Sequence, residues 1–564
     1  MRSRSTSRFA RTTPAEARRQ PEAYYRERAP VCDHVYGHPE QQRDLATLTR
    51  RARLHLLSCL NLLLIAGCGG GGGGSGNDFA PTPQPPPVAQ SDFEAGIFRD
   101  SSTYKDLCMS PRPGDPFDMQ GTTEDENNWL RSWSNELYLW YDEIVDEDPA
   151  AYGTPEYFEL MKTFALAPSG NPKDNAHFTV PTEEFEALSQ EGITAGYGAD
   201  FAILRSAPPR EVVVVVTEPD SPATAAGLNR GARIISVDGA AIADSDDIDT
   251  LNNGLFPPTL GETHQFQVRD LGSNATRTIN MTSAEINVDP VQFERVFDTP
   301  SGPVGYLFFS NHIATAEREL VNAVNTLAAQ SITDLILDVR YNLGGFSDIA
   351  NQLAYMIAGP SAASGRTFGE LKFSNKHPSV NPVTGAVLAP EPFIETTVGF
   401  SLASGQPLPT LNLPRLFVLT GPETCSASEA IMNALRGIDV EVIQIGATTC
   451  GKPYGFYAFD NCGTTYFSIQ FALINAKGFG EYGDGFSPGG SGLPTSLPGC
   501  AVEDDFGHLL GDTAEARLAT ALAYRETHTC PMDNSMLSSQ PVQRTQTGPE
   551  LTPPTDLRGG IWAR

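Results

Sequence analysis

From residue 304 to residue 446 the chain switches repeatedly between short apolar runs and stretches with helical spacing. The runs at 304–309, 334–340, 416–420 and 440–446 have the length and the branched or aromatic content of buried strands. Segments 314–329, 349–357 and 428–436 lie between them with helical periodicity. Strands that alternate with helices need crossover connections, and crossovers set the strands parallel in one sheet. The block 286–533 is therefore expected to be an α/β core. Two further segments, 454–459 and 464–474, predict a β-hairpin around Asp460-Asn461-Cys462-Gly463.

In such a sheet functional groups gather at the carboxyl ends of the strands. Three features fall there. Ser426 follows the 416–420 run and opens a helix, Gly344 and Gly345 follow the 334–340 run, and Lys452 follows the 440–446 run. A hydroxyl, a glycine turn and an amine then line one crevice. Serine attacks a carbonyl only when a base removes its proton. A lysine can be that base if burial keeps it neutral. An N–H at a helix start is free to donate to a developing oxyanion. Taken singly, Ser426 or Ser428 could be only an N-cap, and Lys452 only a solvated charge. Cys425 is a second possible nucleophile by sequence.

Upstream, 92–188 shows helical patterning. Trp129, Leu130, Trp133, Leu137, Leu139 and Trp140 fall on one stripe, which reads as core. The next block, 189–285, holds Gly196-Tyr197-Gly198-Ala199-Asp200-Phe201, a valine run at 211–216, Ser221-Pro222-Ala223, Ala226-Gly227-Leu228, and Gly231 to Gly239 ending in Val237-Asp238-Gly239. In this order the motifs resemble a PDZ domain of the bacterial protease type. The resemblance implies a β-rich domain that takes a peptide as an added strand. Backbone N–H groups near Tyr197, Gly198 and Ala199 would hold the peptide's terminal carboxylate.

Behind that domain come ILDVRYNLGG (336–345), VLTGPETCSASEAIMNAL (418–435) and IGATTCGKPYG (445–455). The series closely resembles the C-terminal processing, or tail-specific, serine proteases of the S41 type. The resemblance implies an α/β multidomain chain: an N-terminal helical region, a PDZ-like β-rich domain and a ClpP/crotonase-like core. It implies a Ser/Lys dyad with Ser426 as nucleophile and Lys452 as base. The oxyanion donors would be the N–H of Ala427 and of Gly344 or Gly345. Asp439 lies near the place of a third polar residue that some members use. Two departures are Pro453, where a small residue is common, and Leu343, where proline or glycine is usual. If Ser426 and Lys452 meet, Cys425 and Cys450 are neighbours, and a disulfide between them would brace the site. No cofactor is implied. No close Cys/His spacing suggests a metal, and the histidines form no metal-binding motif. The competing reading is a non-catalytic peptide- or ligand-binding protein with a protease-like core, as in retinoid-binding proteins that share this core.

Two loops stand outside these motifs. Residues 482–490 are too Gly-rich for core and predict a substrate-groove or covering loop. The long connection 361–414 predicts a lid or substrate wall. Asp338 and Arg340 read as structural, and Glu429 as a first-turn acid that complements its helix dipole.

The amino-terminal part reads as a leader. Arg50, Arg51 and Arg53 precede a short apolar stretch, 54–66, and Ile65-Ala66-Gly67-Cys68 resembles a bacterial lipobox. The expectation is a lipoprotein signal over 1–68, with Cys68 lipidated and the mature protein anchored in the cell envelope, on the outer membrane. Residues 69–91 are Gly- then Pro-rich, as in a linker, and 534–564 read as a disordered tail. Lys and Arg exceed Asp and Glu by 6 in residues 1–68 and fall short by 35 in 69–564. So acidic a body argues against nucleic acid as partner; protein or peptide substrates are expected instead. Beyond the leader the six cysteines are even in number, as befits an oxidising compartment.

Overall fold

The structure, a computed structural model, describes residues 93–167 and 169–531, together with the backbone of 561–562. Cys68, the leader, the whole 69–91 linker and all of the 534–564 tail but the backbone of 561–562 lie outside the described residues. Those described belong to one compact unit.

The N-terminal block is less helical than its patterning suggests. Its one long helix, α1, is Thr123–Leu137, and Thr122 and Asp125 close a capping box at its start. Trp129 and Trp133 stack at 5.2 Å inside a satellite core with Tyr157, Phe158 and Tyr466. The helix stops before Leu139 and Trp140 because Tyr138 turns extended. Its hydroxyl donates to Asp174 and accepts from Thr163 N–H, while Leu139 N–H donates to the Ile469 carbonyl. Disulfide Cys108–Cys462 ties this block to the hairpin region downstream.

The β-rich block follows as β1 (Ala199–Arg205), β2 (Glu211–Thr217), β3 (Arg233–Val237), helix α2 (Ile248–Leu255), β4 (Thr263–Arg269) and β5 (Arg277–Thr282). The sheet order is β5-β4-β3-β2-β1, which leaves β1 at an edge. Its own core includes Val212, Val214, Ile234, Leu251 and Phe266. Val215 and Val216 join the core under the main sheet; two successive residues can do so because the β1–β2 register shifts there, with Asp200 opposite Val216 but Phe201 opposite Val214. Arg230 fastens the contact by donating to Tyr341 Oη and to Asp504.

The main sheet contains β6 (Phe293–Phe297), β7 (Val304–Phe308), β8 (Asp334–Asp338), β11 (Arg415–Thr420), β12 (Glu441–Gly446) and β17 (Gly499–Ala501), in that spatial order. All pairs are parallel except β6–β7. The crossovers are α3 (Ala316–Ala329) from β7 to β8, α4 (Ser347–Ala358) between β8 and β11, and α5 (Ala427–Gly437) from β11 to β12; α6 (Ala516–Thr527) packs beneath. A second sheet runs β9 (Gly345–Phe346), β18 (Ile561–Trp562), β13 (Tyr454–Phe456), β16 (Phe471–Ile474) and β10 (Thr367–Phe373). The predicted hairpin divides between two sheets. Its tip, β14 (Phe459–Asn461) and β15 (Thr464–Phe467), closes through Cys462 and Gly463, both at positive φ. Its base, β13 and β16, belongs to the second sheet.

The connection 361–414 is packed rather than loose. Buried Glu317 of α3 accepts from the N–H groups of Val398, Ser401 and Leu402, and β10 pairs with β16. Asp338 and Arg340 are structural, as expected. They form a buried ionic cluster with Glu515 beneath the sheet edge, and Tyr306 Oη donates to Asp338.

Candidate active site

After β11 the chain turns over the sheet edge and enters α5 at Ala427. The turn is stitched to the end of β8. Thr424 Oγ1 donates to the Val339 carbonyl, and both Cys425 N–H and Ser428 Oγ donate to the Asn342 carbonyl. Ser428 is thus occupied. Ser426 has φ 58° and ψ −109°, a conformation that costs a non-glycine residue about 1–3 kcal/mol. It is fully buried, and Oγ makes no hydrogen bond among the described residues. Ser426 and Glu429 hold the two positions of a capping box, with the Glu429 carboxylate on Ser426 N–H, while the hydroxyl itself has no partner at hydrogen-bond distance.

The glycine turn presses against Ser426. A Cβ on Gly344 (φ 104°) would lie 2.9 Å from Ser426 Cβ and 3.0 Å from Ala427 N. Gly344 N–H is engaged by Asn342 Oδ1 at 2.9 Å. His312 N–H donates to the Gly344 carbonyl, and Phe346 N–H donates to the His312 carbonyl. By strand alternation the N–H of Gly345 faces the opposite edge. Ala427, first in its helix, has no carbonyl one turn back to receive its N–H. His312 packs beneath the turn. Asn342 Nδ2 donates to the Phe309 carbonyl, so its Oδ1 is the acceptor for His312 Nδ1. Burial lowers this imidazole to about 3 and keeps it neutral.

Lys452 follows β12 and is almost fully buried. Nζ lies 4.3 Å from the centroid of the Phe456 ring. Burial lowers the amine to about 7, against the pull of the Asp174 and Glu429 carboxylates. Near neutral pH a large fraction is therefore neutral, the state a general base requires. Below pH 7 the neutral fraction falls tenfold per unit. If Lys452 is the base, kcat/KM should plateau above pH 7 and at pH 5 stand about 100-fold lower. A pH–rate profile checks this, with far-UV circular dichroism at each pH to exclude unfolding.

Glu429 joins the two halves. Its buried carboxylate accepts from Ser426 N–H at 2.9 Å and Lys452 N–H at 2.8 Å, both on Oε2. Thr449 Oγ1 at 2.5 Å and Gly451 N–H at 2.9 Å donate to Oε1. Burial raises the carboxyl above its ordinary range, while these donors pull it back. Hence Glu429 is more than a dipole partner: one oxygen holds the backbones of both residues. The Cys425–Cys450 disulfide, with Cα atoms 5.2 Å apart, clamps the same two loops. It also removes Cys425 as a nucleophile. The third bridge is Cys500–Cys530.

Asp439 is not at this site. It stands before β12, whereas Lys452 follows it, so the strand separates them. Asp439 is exposed and pairs with Lys477 at 2.5 Å. The 482–490 stretch also differs from expectation. Tyr482 and Phe486 are fully buried, and Thr449 and Phe486 exchange hydrogen bonds. The glycines permit this close packing: a Cβ on Gly485 would meet the Thr449 carbonyl oxygen at 2.1 Å. The segment buttresses the lysine loop. In the β-rich block, Tyr197 is buried with Oη donating to the Gly254 carbonyl. Gly198 turns at φ 68° against Ser221, and Ala199 opens β1.

Residues 303–456, which carry every element of this site except Asp174 and the buttress, match the model of peptidase family S41. A carboxyl-terminal-processing protease of Picosynechococcus is 27% identical over 180 residues, 30% of this chain and 41% of that protein. A chloroplastic C-terminal processing peptidase of Tetradesmus obliquus is 26% identical over 257 residues, 43% of this chain and 48% of that protein. The chain thus spans less than half the length of these relatives. A crystal structure from Bacteroides fragilis, assigned to the S41 proteases, superposes with a TM-score of 0.52 at 22% identity. It covers 71% of this chain and 97% of that one, a likeness of mixed α/β fold. Among the described residues no helix is long and apolar enough to cross a membrane.

Proposed function

We propose that this chain is an extracytoplasmic serine endopeptidase that cuts unfolded or C-terminally recognised proteins through Ser426 and Lys452. The observation that carries the reading is the shared acceptor. Glu429 Oε2 gathers the backbones of a buried, unbonded serine and of a buried lysine lowered to about 7. In this mechanism neutral Lys452 takes the proton of Ser426 Oγ as that oxygen attacks the scissile carbonyl. Ala427 N–H is the donor left for the oxyanion, since Gly344 N–H is engaged by Asn342 and Gly345 lies in the strand ladder with Ile561; Gly345 N–H would join it only where that ladder opens. The lysine returns the proton to the leaving amine, and the acyl-enzyme remains. Lys452, neutral again, deprotonates a water that releases the acyl group.

The β-rich block serves as a PDZ-type peptide binder. Its free edge β1 and the 197–199 loop would receive the end of a substrate. The leader would place the protein in the cell envelope, anchored by lipid on Cys68. Six described cysteines, all paired, suit that compartment.

Cleavage of casein by the purified protein tests the proposal, together with mass-spectrometric location of the acyl group after reaction with a serine-directed acylating probe. Casein cleavage and acylation on Ser426 are expected. A folded protein that neither cuts casein nor is acylated would favour the binding-protein reading.

A further inference from the structure

The second sheet is continuous only because residues 561–562 complete it. Strands β9 and β13 do not pair with each other; β18 lies between them and pairs in parallel with both. Gly345 and Gly455 each face Ile561, and Phe346 and Phe456 each face Trp562. Removing β18 would leave a slot one strand wide, with two facing edges of unpaired backbone groups. One wall begins at the glycine turn that presses on Ser426. The other begins two residues after Lys452. A strand in that slot therefore lies beside the turn that presses on Ser426 and beside the strand that follows Lys452, and the N–H of Gly345 faces it.

We infer that this slot is a strand-addition site for an extended peptide backbone, held in this protein by its own segment 561–562. Occupation in cis then competes with any substrate strand. The inference deepens the proposed peptidase reading, since the slot matters to catalysis only if Ser426 and Lys452 cut peptides. The binding itself does not depend on that reading. Sheets take in peptides by main-chain pairing, commonly at one exposed edge and in some proteins, as here, by insertion between two strands: main-chain bonds supply affinity and do not read sequence. A segment tethered to the same chain needs little intrinsic affinity, because its effective concentration is high.

The first test uses the full chain without alteration. Hydrogen exchange followed by mass spectrometry should show slow exchange at 561–562 and at the facing segments 345–346 and 455–456. Exchange at 561–562 as fast as in a free peptide would overturn the inference. The second test uses the full chain with Ile561→Pro and Trp562→Pro, in a Ser426→Ala background that prevents cleavage. Proline removes the N–H groups a ladder needs. Protection at 345–346 and 455–456 should fall, and a synthetic peptide of residues 556–564 should bind and restore it. The same peptide should bind the chain with native 561–562 about tenfold more weakly or worse, because a filled slot lowers the competent fraction. Unchanged protection, or a peptide that binds neither form, would also overturn the inference. With Ser426 present, the proline variant should cut casein faster than the native chain. If the peptide binds as expected and no form cuts casein, the peptidase reading fails and the self-occupied slot stands.

Discussion

Replacing Ser426 with alanine should lower kcat/KM for casein by about 10⁴-fold or more, and Lys452→Ala should do nearly the same. The double variant should be no worse than the poorer single, because nucleophile and base act as one unit. Lys452→Arg should also fail, since a guanidinium stays charged where a neutral amine is required. Lys452→Met separates chemistry from folding. It keeps most of the buried stem beside Phe456 and removes an amine whose charging burial disfavours. Its thermal midpoint should equal or exceed that of the native protein while its activity is lost. Retention of activity within tenfold by Ser426→Ala would mean that the site has been misplaced.

Glu429→Gln should be the most damaging change outside the dyad. Both carboxylate oxygens accept two donors each: Ser426 and Lys452 N–H on one, Thr449 Oγ1 and Gly451 N–H on the other. Whichever way the amide is turned, its NH₂ meets two donors. Breaking a buried charged network in this way costs about 3–5 kcal/mol, and displacement of the dyad should lower kcat by about 100-fold. A structural role alone would not move the pH profile. Glu429 raises the Lys452 amine, so its neutralisation should shift the midpoint of the profile to lower pH. Residual activity with an unshifted midpoint would deny Glu429 any electrostatic hold on the lysine.

The contrast between Glu429 and Asp439 shows what the sequence can and cannot convey. The apolar runs from 304 to 446 announce the parallel sheet because fully buried strands need continuous apolar content. Ser426, Lys452 and the glycine turn announce themselves by residue type and by position after those runs. Glu429 is visible only as an acid three residues into a helix. Its second role depends on a loop that returns from the next strand, and no local pattern records that return. Asp439 looks close to Lys452 along the chain, but the six residues of β12 put roughly 20 Å between its ends at 3.3 Å per residue. Asp174 acts on Lys452 from a distant block, and its only local signal is a polar residue among short helices. Gly483 and Gly485 look like surface because glycine-rich segments usually are. Here the missing side chains of Gly485 and of Gly451 opposite it let one loop lie flat on another.

The Cys425–Cys450 bridge spans 25 residues and adjoins Ser426 directly and Lys452 within two positions. A cross-link over a loop of that size removes about 3 kcal/mol of chain entropy from the unfolded ensemble. It also fixes what a partly opened molecule retains. When β11 and β12 separate, the nucleophile and its base stay at the two ends of one covalent tether. Reclosing then does not have to search for that encounter. The chain keeps a memory of its site through unfolding, written in sulfur rather than in packing.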